Sequence, residues 1–147
     1  MWYNNIEKKF FKVIIEEDFQ VRLWHQNLIP LLPRQQLLGQ HRECCALRGN
    51  GWGKRHSVVD YVFTYPMDRL VAYHMLVAAE MIRRGFHVDN AWFNVNYRGQ
   101  KCMPDYTIKV STVKKLMDTH IYPEHDKEYL RECISNLAHK NIILVGG

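Results

Sequence analysis

Between Arg48 and His56 the chain reads Arg-Gly-Asn-Gly-Trp-Gly-Lys-Arg-His, a glycine-rich basic loop. Backbone amides in such a loop, with the cations of Arg48, Lys54 and Arg55, suit a phosphate backbone, and Trp52 suits stacking on a displaced base. The loop lacks the Gly-Lys-Ser/Thr ending of a nucleotide-binding P-loop. Contact with nucleic acid is therefore expected, the alternative being a helix terminator and turn with incidental charge.

Eight histidines raise the question of a metal. His25, His41 and His56 are the ones to consider beside Glu43, but neither HExxH nor another spacing that points two ligands at one ion is read here, and no metal is expected. His74 falls on an apolar helix face and reads as a hydrogen-bonded core residue. Cys44 and Cys45 are expected to pack within a helix, because no activating base can be assigned to either thiol. With Cys102 and Cys133 they form no CxxC pair, so neither a disulfide framework nor a zinc ribbon is implied, and a reduced cytoplasmic protein is the simplest expectation. Trp24, Trp92 and Phe93 read as core or lid.

Three helices are expected to position these groups in one all-α, compact single domain with long irregular connections. Met67, Leu70, Val71, His74, Ala78, Met81 and Ile82 recur at helical spacing after Pro66, and the pattern closes at Arg83-Arg84 before Gly85. A second helix is expected from Pro33 to Arg48, with Leu37, Leu38, His41, Cys44, Cys45 and Arg48 along one side and Glu43 roughly opposite the leucines; Gly39 weakens it by about 1 kcal/mol. A third runs from about Glu124 to Lys140, burying Leu130, Cys133, Ile134 and Leu137. The stretches 49–65 and 89–121 read as irregular.

The 147 residues are 47% hydrophobic and 24% charged, enough for one core, and no apolar run approaches the roughly 20 residues that span a bilayer. Net charge is +5 with a pI near 9.1, which favours a polyanionic partner. Residues 1–20 carry three lysines against four acids, so the basic character belongs to Val21 onward. These twenty residues are expected to be an extension preceding a true start at Val21, since Glu16-Glu17-Asp18 can be encoded by a ribosome-binding purine run and Val21 by a GTG start codon. A real amphipathic helix over 6–19 is the alternative.

From Val21 the sequence reads Val-Arg-Leu-Trp-His, and further on come Leu37-Leu38-Gly39-Gln40-His41-Arg42-Glu43, Phe63-Thr64-Tyr65-Pro66-Met67-Asp68-Arg69-Leu70 and Glu80-Met81-Ile82-Arg83-Arg84-Gly85-Phe86. Tyr97-Arg98-Gly99 and Tyr122-Pro123-Glu124-His125 are weaker echoes. Together these resemble the pyrimidine-dimer DNA glycosylase (endonuclease V) family across most of residues 21–141.

The resemblance implies a DNA-repair glycosylase with abasic-site lyase activity on damaged double-stranded DNA, monomeric and needing no metal or organic cofactor. Its nucleophile is an N-terminal α-amine, which falls on Val21, and its catalytic carboxylate falls on Glu43. An α-amine titrates at about 7.7 to 8.0 against about 10.4 for lysine, so roughly a tenth of it is neutral near pH 7 and free to form an imine. Arg22 and Arg42 are expected to grip phosphates beside the lesion. Gln36 and Ala46 stand where the family's phage enzyme has DNA-contacting residues, which bears on lesion choice more than on reaction type. The alternative is a non-catalytic DNA-binding module on the same scaffold.

Overall fold

The computed structural model describes residues 22–54 and 59–145. Among them are four α-helices and no strand: α1 (Arg34–Arg48), α2 (Met67–Arg83), α3 (Val110–Met117) and α4 (Lys127–His139), with short 3-10 turns at Gln26–Leu31, Asp60–Thr64 and Asn90–Phe93. The all-helical expectation holds.

Helix α2 is the axis of the molecule. Eleven of its residues are buried, from Met67 through Met81, so it is enclosed on more than one side rather than laid on a surface. It packs against α1 and α3 and touches the 26–31 and 60–64 turns. Pro66 precedes its first turn, where a missing amide costs nothing. At its other end Gly85 takes φ +84°, letting Phe86 N–H return to the Met81 carbonyl at 2.9 Å and Gly85 N–H to Ile82 at 2.9 Å. Ile82, expected inside, is exposed instead. Glu80 binds Arg83 and Arg84, and Arg84 in turn donates to the carbonyls of Leu32 (2.7 Å) and Pro30 (3.0 Å), tying the 26–31 turn to the end of α2.

Helix α1 follows Pro33 and stops at Gly49. A side chain at Gly49 would bring a Cβ within 2.9 Å of the Arg98 carbonyl oxygen, and one at Gly51 within 2.7 Å of the Ala46 oxygen. These glycines allow the chain to fold back tightly on the helix end. The amides of Gly49, Gly51, Trp52 and Lys54 are all spent on carbonyls of residues 45–51. These four of the backbone donors expected to meet phosphate are thus bonded within the turn itself.

Two boundaries also differ from the sequence expectation. Residues 89–121 contain α3, whose Val113 is buried; its β-branched Val110, Thr112 and Val113 weaken the local helix signal, and packing on α2 supplies what propensity lacks. Helix α4 begins three residues later than expected, because the Asp126 carboxylate accepts from Tyr129 N–H at 2.8 Å and fixes the first turn there. Cys133 and Leu137 are buried as expected, whereas Ile134, at the margin of that face, is exposed.

Among the described residues, Arg48 is the largest fully buried side chain. Its Nη1 donates to the Trp92 carbonyl (3.0 Å) and to His74 Nδ1 (3.0 Å), and its Nη2 to the carbonyls of Asn94 and Tyr97, both 2.8 Å away. The guanidinium also lies 5.2 Å from the Trp92 ring. One cation thus fastens the irregular 92–97 segment to α1 and α2, and burial lowers its pKa only to about 10, leaving it charged at neutral pH. Arg48→Met removes the donor to three carbonyls and to His74 from a fully buried position, and urea unfolding should show a loss of about 3 to 5 kcal/mol.

Candidate active site

The described chain begins at Arg22, and the first three residues are held by side chains from three different helices. Gln40 of α1, itself buried, accepts from Trp24 N–H through Oε1 at 2.7 Å and donates to the Arg22 carbonyl through Nε2 at 2.7 Å. Tyr129 of α4 donates to the Leu23 carbonyl at 2.6 Å, and the single hydroxyl proton of Tyr73 of α2 is shared between the Trp24 carbonyl at 2.6 Å and Gln40 Oε1 at 2.8 Å. The carboxamide serves as a strand partner would, with one donor and one acceptor facing an extended backbone.

Glu43 stands three residues beyond Gln40 on α1, about 4.5 Å along the axis and on a neighbouring face. It is half-buried, and no described residue hydrogen-bonds its carboxylate. Burial raises its pKa, with the nearby Arg42 charge acting in the opposite direction. An unclaimed carboxyl that holds its proton more readily than a surface acid has the chemistry needed for proton transfer.

The other expected residues divide into three groups. Arg22 is half-buried, its guanidinium 5.3 Å from the Trp24 ring, and it lines a cleft of about 910 Å³ shared with Glu128, Arg131 and Glu132 of α4. Arg42 is exposed on α1, and Lys54 is exposed beyond its end; Trp52 is half-buried with its ring edge-on to Phe63 at 5.1 Å. Val21, Arg55 and His56 lie outside the described residues. Arg48 belongs with neither set. Fully enclosed and bonded to four protein acceptors, it presents nothing for phosphate to reach, so its expected role in DNA contact is replaced by the structural one described above.

Behind the clamped segment lies an aromatic cluster that the sequence reading did not assemble. The rings of His25, His125 and Tyr129 stack, His25 5.5 Å from His125 and His125 5.2 Å from Tyr129. Gln26 N–H donates to His125 Nδ1 at 3.2 Å, so the His125 proton sits on Nε2, facing the Tyr61 hydroxyl at 2.6 Å. The signal available in the sequence was four aromatic or imidazole residues in Tyr122, His125, Tyr129 and Tyr61, but their meeting depends on a chain reversal of more than sixty residues.

A second polar cluster sits between α1 and α2. His41 Nδ1 is 2.8 Å from His74 Nε2, and Cys45 Sγ is 3.9 Å from each of those atoms. Together they form a group of potential metal ligands among the described residues. The sequence expectation weighed only histidines beside Glu43; His41 and Cys45, four apart on α1, lie close to each other and to His74. The trio weighed from sequence does not form, since His25 belongs to the aromatic cluster.

A family model for pyrimidine dimer DNA glycosylase matches residues 21–94, half of the chain. No curated protein and no solved structure matches significantly. The matched span starts at the residue just before the clamp and contains both helices that bear Gln40, Glu43 and Tyr73.

The buried His125 yields a pH prediction. Burial, reinforced by the neighbouring His25 and His120 and opposed by Asp126, lowers its pKa to about 3. The unfolded chain, with an ordinary value of about 6.5, binds the proton first, so stability is complete above pH 6.5 and declines as pH falls from there toward 3. Urea midpoints converted to free energy should drop by up to about 1.4 kcal/mol per pH unit through this group, and His125→Gln should flatten that slope.

Proposed function

The chain belongs to the pyrimidine dimer DNA glycosylase family, and on that premise we propose a DNA-repair glycosylase that also cleaves the strand, using an α-amine at position 21 and the Glu43 carboxyl. The neutral amine attacks the anomeric carbon, the bond to the damaged pyrimidine breaks, and the base leaves with a proton. The amine nitrogen then loses its proton as the sugar opens to an imine. Removal of a proton from the adjacent sugar carbon expels the 3′ phosphate by β-elimination. Glu43 moves these protons and, when ionised, stabilises the positive charge that develops on the sugar.

The observation that carries this reading is the clamp. Gln40 holds residues 22–24 against α1 one turn from Glu43, so a nucleophile attached at the next residue back starts near the only acid the site requires. Reactive groups held in this way avoid much of the entropic cost of meeting. Arg22 and Arg42 supply positive charge for the phosphates on either side of the lesion, and Trp52, Lys54 and Arg55 extend the contact beyond the end of α1. No helix among the described residues is long and apolar enough to cross a membrane, and the net charge of +5 suits double-stranded DNA. We place the protein in the cytoplasm as a monomer acting without a bound group in the chemical step.

A chain that starts at residue 21 should become covalently fixed to abasic-site DNA under borohydride, whereas the same segment with its nitrogen in a peptide bond to residue 20 should not. Glu43→Gln should bind damaged DNA as tightly and cleave about 10²- to 10⁴-fold more slowly. Equal trapping by both forms would move the nucleophile elsewhere, and DNA binding without any adduct would reduce the protein to a binding module.

A further inference from the structure

Two imidazoles and a thiol meeting between packed helices are an unusual way to fill an interface where apolar side chains serve better. His74 is fully buried and His41 and Cys45 are half-buried. His41 Nδ1, His74 Nε2 and Cys45 Sγ form a triangle with edges of 2.8, 3.9 and 3.9 Å, and the sulfur also lies 3.7 Å from His41 Nε2. A tetrahedral zinc ion, with bonds of about 2.0 Å to nitrogen and about 2.3 Å to sulfur, separates its ligands by about 3.3 Å for two nitrogens and about 3.6 Å for nitrogen and sulfur. Opening the imidazole pair by half an ångström and drawing the sulfur in by less would produce that geometry, which lies within side-chain adjustment. We propose that His41 Nδ1, His74 Nε2 and Cys45 Sγ form a three-donor site for a divalent transition metal, zinc being the ion that best suits two imidazoles and a thiolate, and that the ion cross-links α1 to α2.

The surroundings bear on this in both directions. Cys45 lines a cleft of about 520 Å³ with Ala46, Gly49, Trp92, Arg98 and Cys102, so an ion can arrive from that side and a water can complete its fourth position. Without a metal, burial pushes the Cys45 thiol up to about 12, so it is no nucleophile at neutral pH, and ligation is the chemistry that deprotonates such a thiol. Opposing this is Arg48, which can only donate, and which gives a hydrogen bond to His74 Nδ1 at 3.0 Å. In the metal-free chain His74 therefore carries its proton on Nε2 and passes a hydrogen bond to His41 Nδ1. Loading requires that proton to move to Nδ1, with Arg48 Nη1 withdrawing while it keeps the Trp92 carbonyl. Cys45 releases its own proton to solvent, so one proton leaves for each ion bound. The proposal is independent of the amine chemistry and stands whether or not the protein forms an imine.

The test uses the full-length protein purified without chelator. Elemental analysis should find about one zinc per chain, and replacing it with cobalt(II) should give a sulfur-to-cobalt charge-transfer band together with the intense visible bands of a tetrahedral ion. Cys45→Ser should lose the charge-transfer band, and Cys102→Ser, whose thiol is not in the cluster, should keep it. His74→Gln should lose stoichiometric cobalt binding; because that site is deep in the core, circular dichroism must first show the variant folded, and exposed-side His41→Gln provides the same readout if it is not. A wild-type chain that carries no zinc and gives no sulfur-to-cobalt band on titration overturns the proposal. So does a band that survives in Cys45→Ser.

Discussion

A single buried carboxamide determines where the start of the family segment can lie. Gln40 has one acceptor oxygen and one donor nitrogen, and both are taken by the backbone of Arg22 and Trp24, with Tyr73 adding a second bond to the oxygen. Few side chains can replace it. A glutamate would offer no donor to the Arg22 carbonyl, an asparagine is one methylene short, and an alanine would leave a backbone amide and a carbonyl unsatisfied where water has little access. Because residues 22–24 have no helix or sheet of their own, their path depends on these side-chain bonds and on the burial of Leu23 and Trp24.

Helix α1 therefore has two functions on two faces. Gln40 and Glu43 lie along one stripe, which fixes the extended segment and presents the acid. His41, Cys45 and Arg48 lie along another at four- and three-residue spacing, which meets α2 through His74. The two stripes share a backbone, so movement of α1 against α2 shifts the clamp and the acid together. Arg48 restrains such movement through its bond to His74 and ties both helices to three carbonyls of the 92–97 segment, and Tyr73 links the same two helices about two turns earlier on α1. The polar interior acts as a set of ties between elements whose connections are otherwise irregular.

Much of this was legible in the sequence, for physical reasons that differ from residue to residue. The α2 pattern stood out because most of its faces are apolar and Pro66 and Gly85 mark its ends. Glu43 is proposed from its neighbourhood in the sequence, and the structure adds only that its carboxyl is half-buried and not hydrogen-bonded by described residues. Helix α3 was missed because eight residues rich in β-branched side chains carry little intrinsic helical signal and depend on α2 for support. Arg48 was misread because arginine is rarely enclosed, and only tertiary structure reveals the four acceptors that make it tolerable. Gln40, Tyr73 and Tyr129 gave no signal at all: their partners are backbone atoms of residues 22–24, and no pattern in sequence marks a carbonyl as needing a donor. The His41–Cys45 spacing was present to be read, but its third member lies twenty-nine residues beyond Cys45 on another helix.

On the proposed mechanism, the Gln40 clamp on residues 22–24, one turn from Glu43, is what makes an amine at position 21 productive. This dependence is tested most directly by the rate at which a chain starting at residue 21 and bearing Gln40→Ala is trapped on abasic-site DNA by borohydride, compared with its parent at saturating DNA. The expected result is a folded variant with unchanged salt-dependent DNA affinity and a trapping rate reduced at least about tenfold, because the reacting group has lost its position. Trapping at the parental rate by a folded Gln40→Ala chain would contradict it.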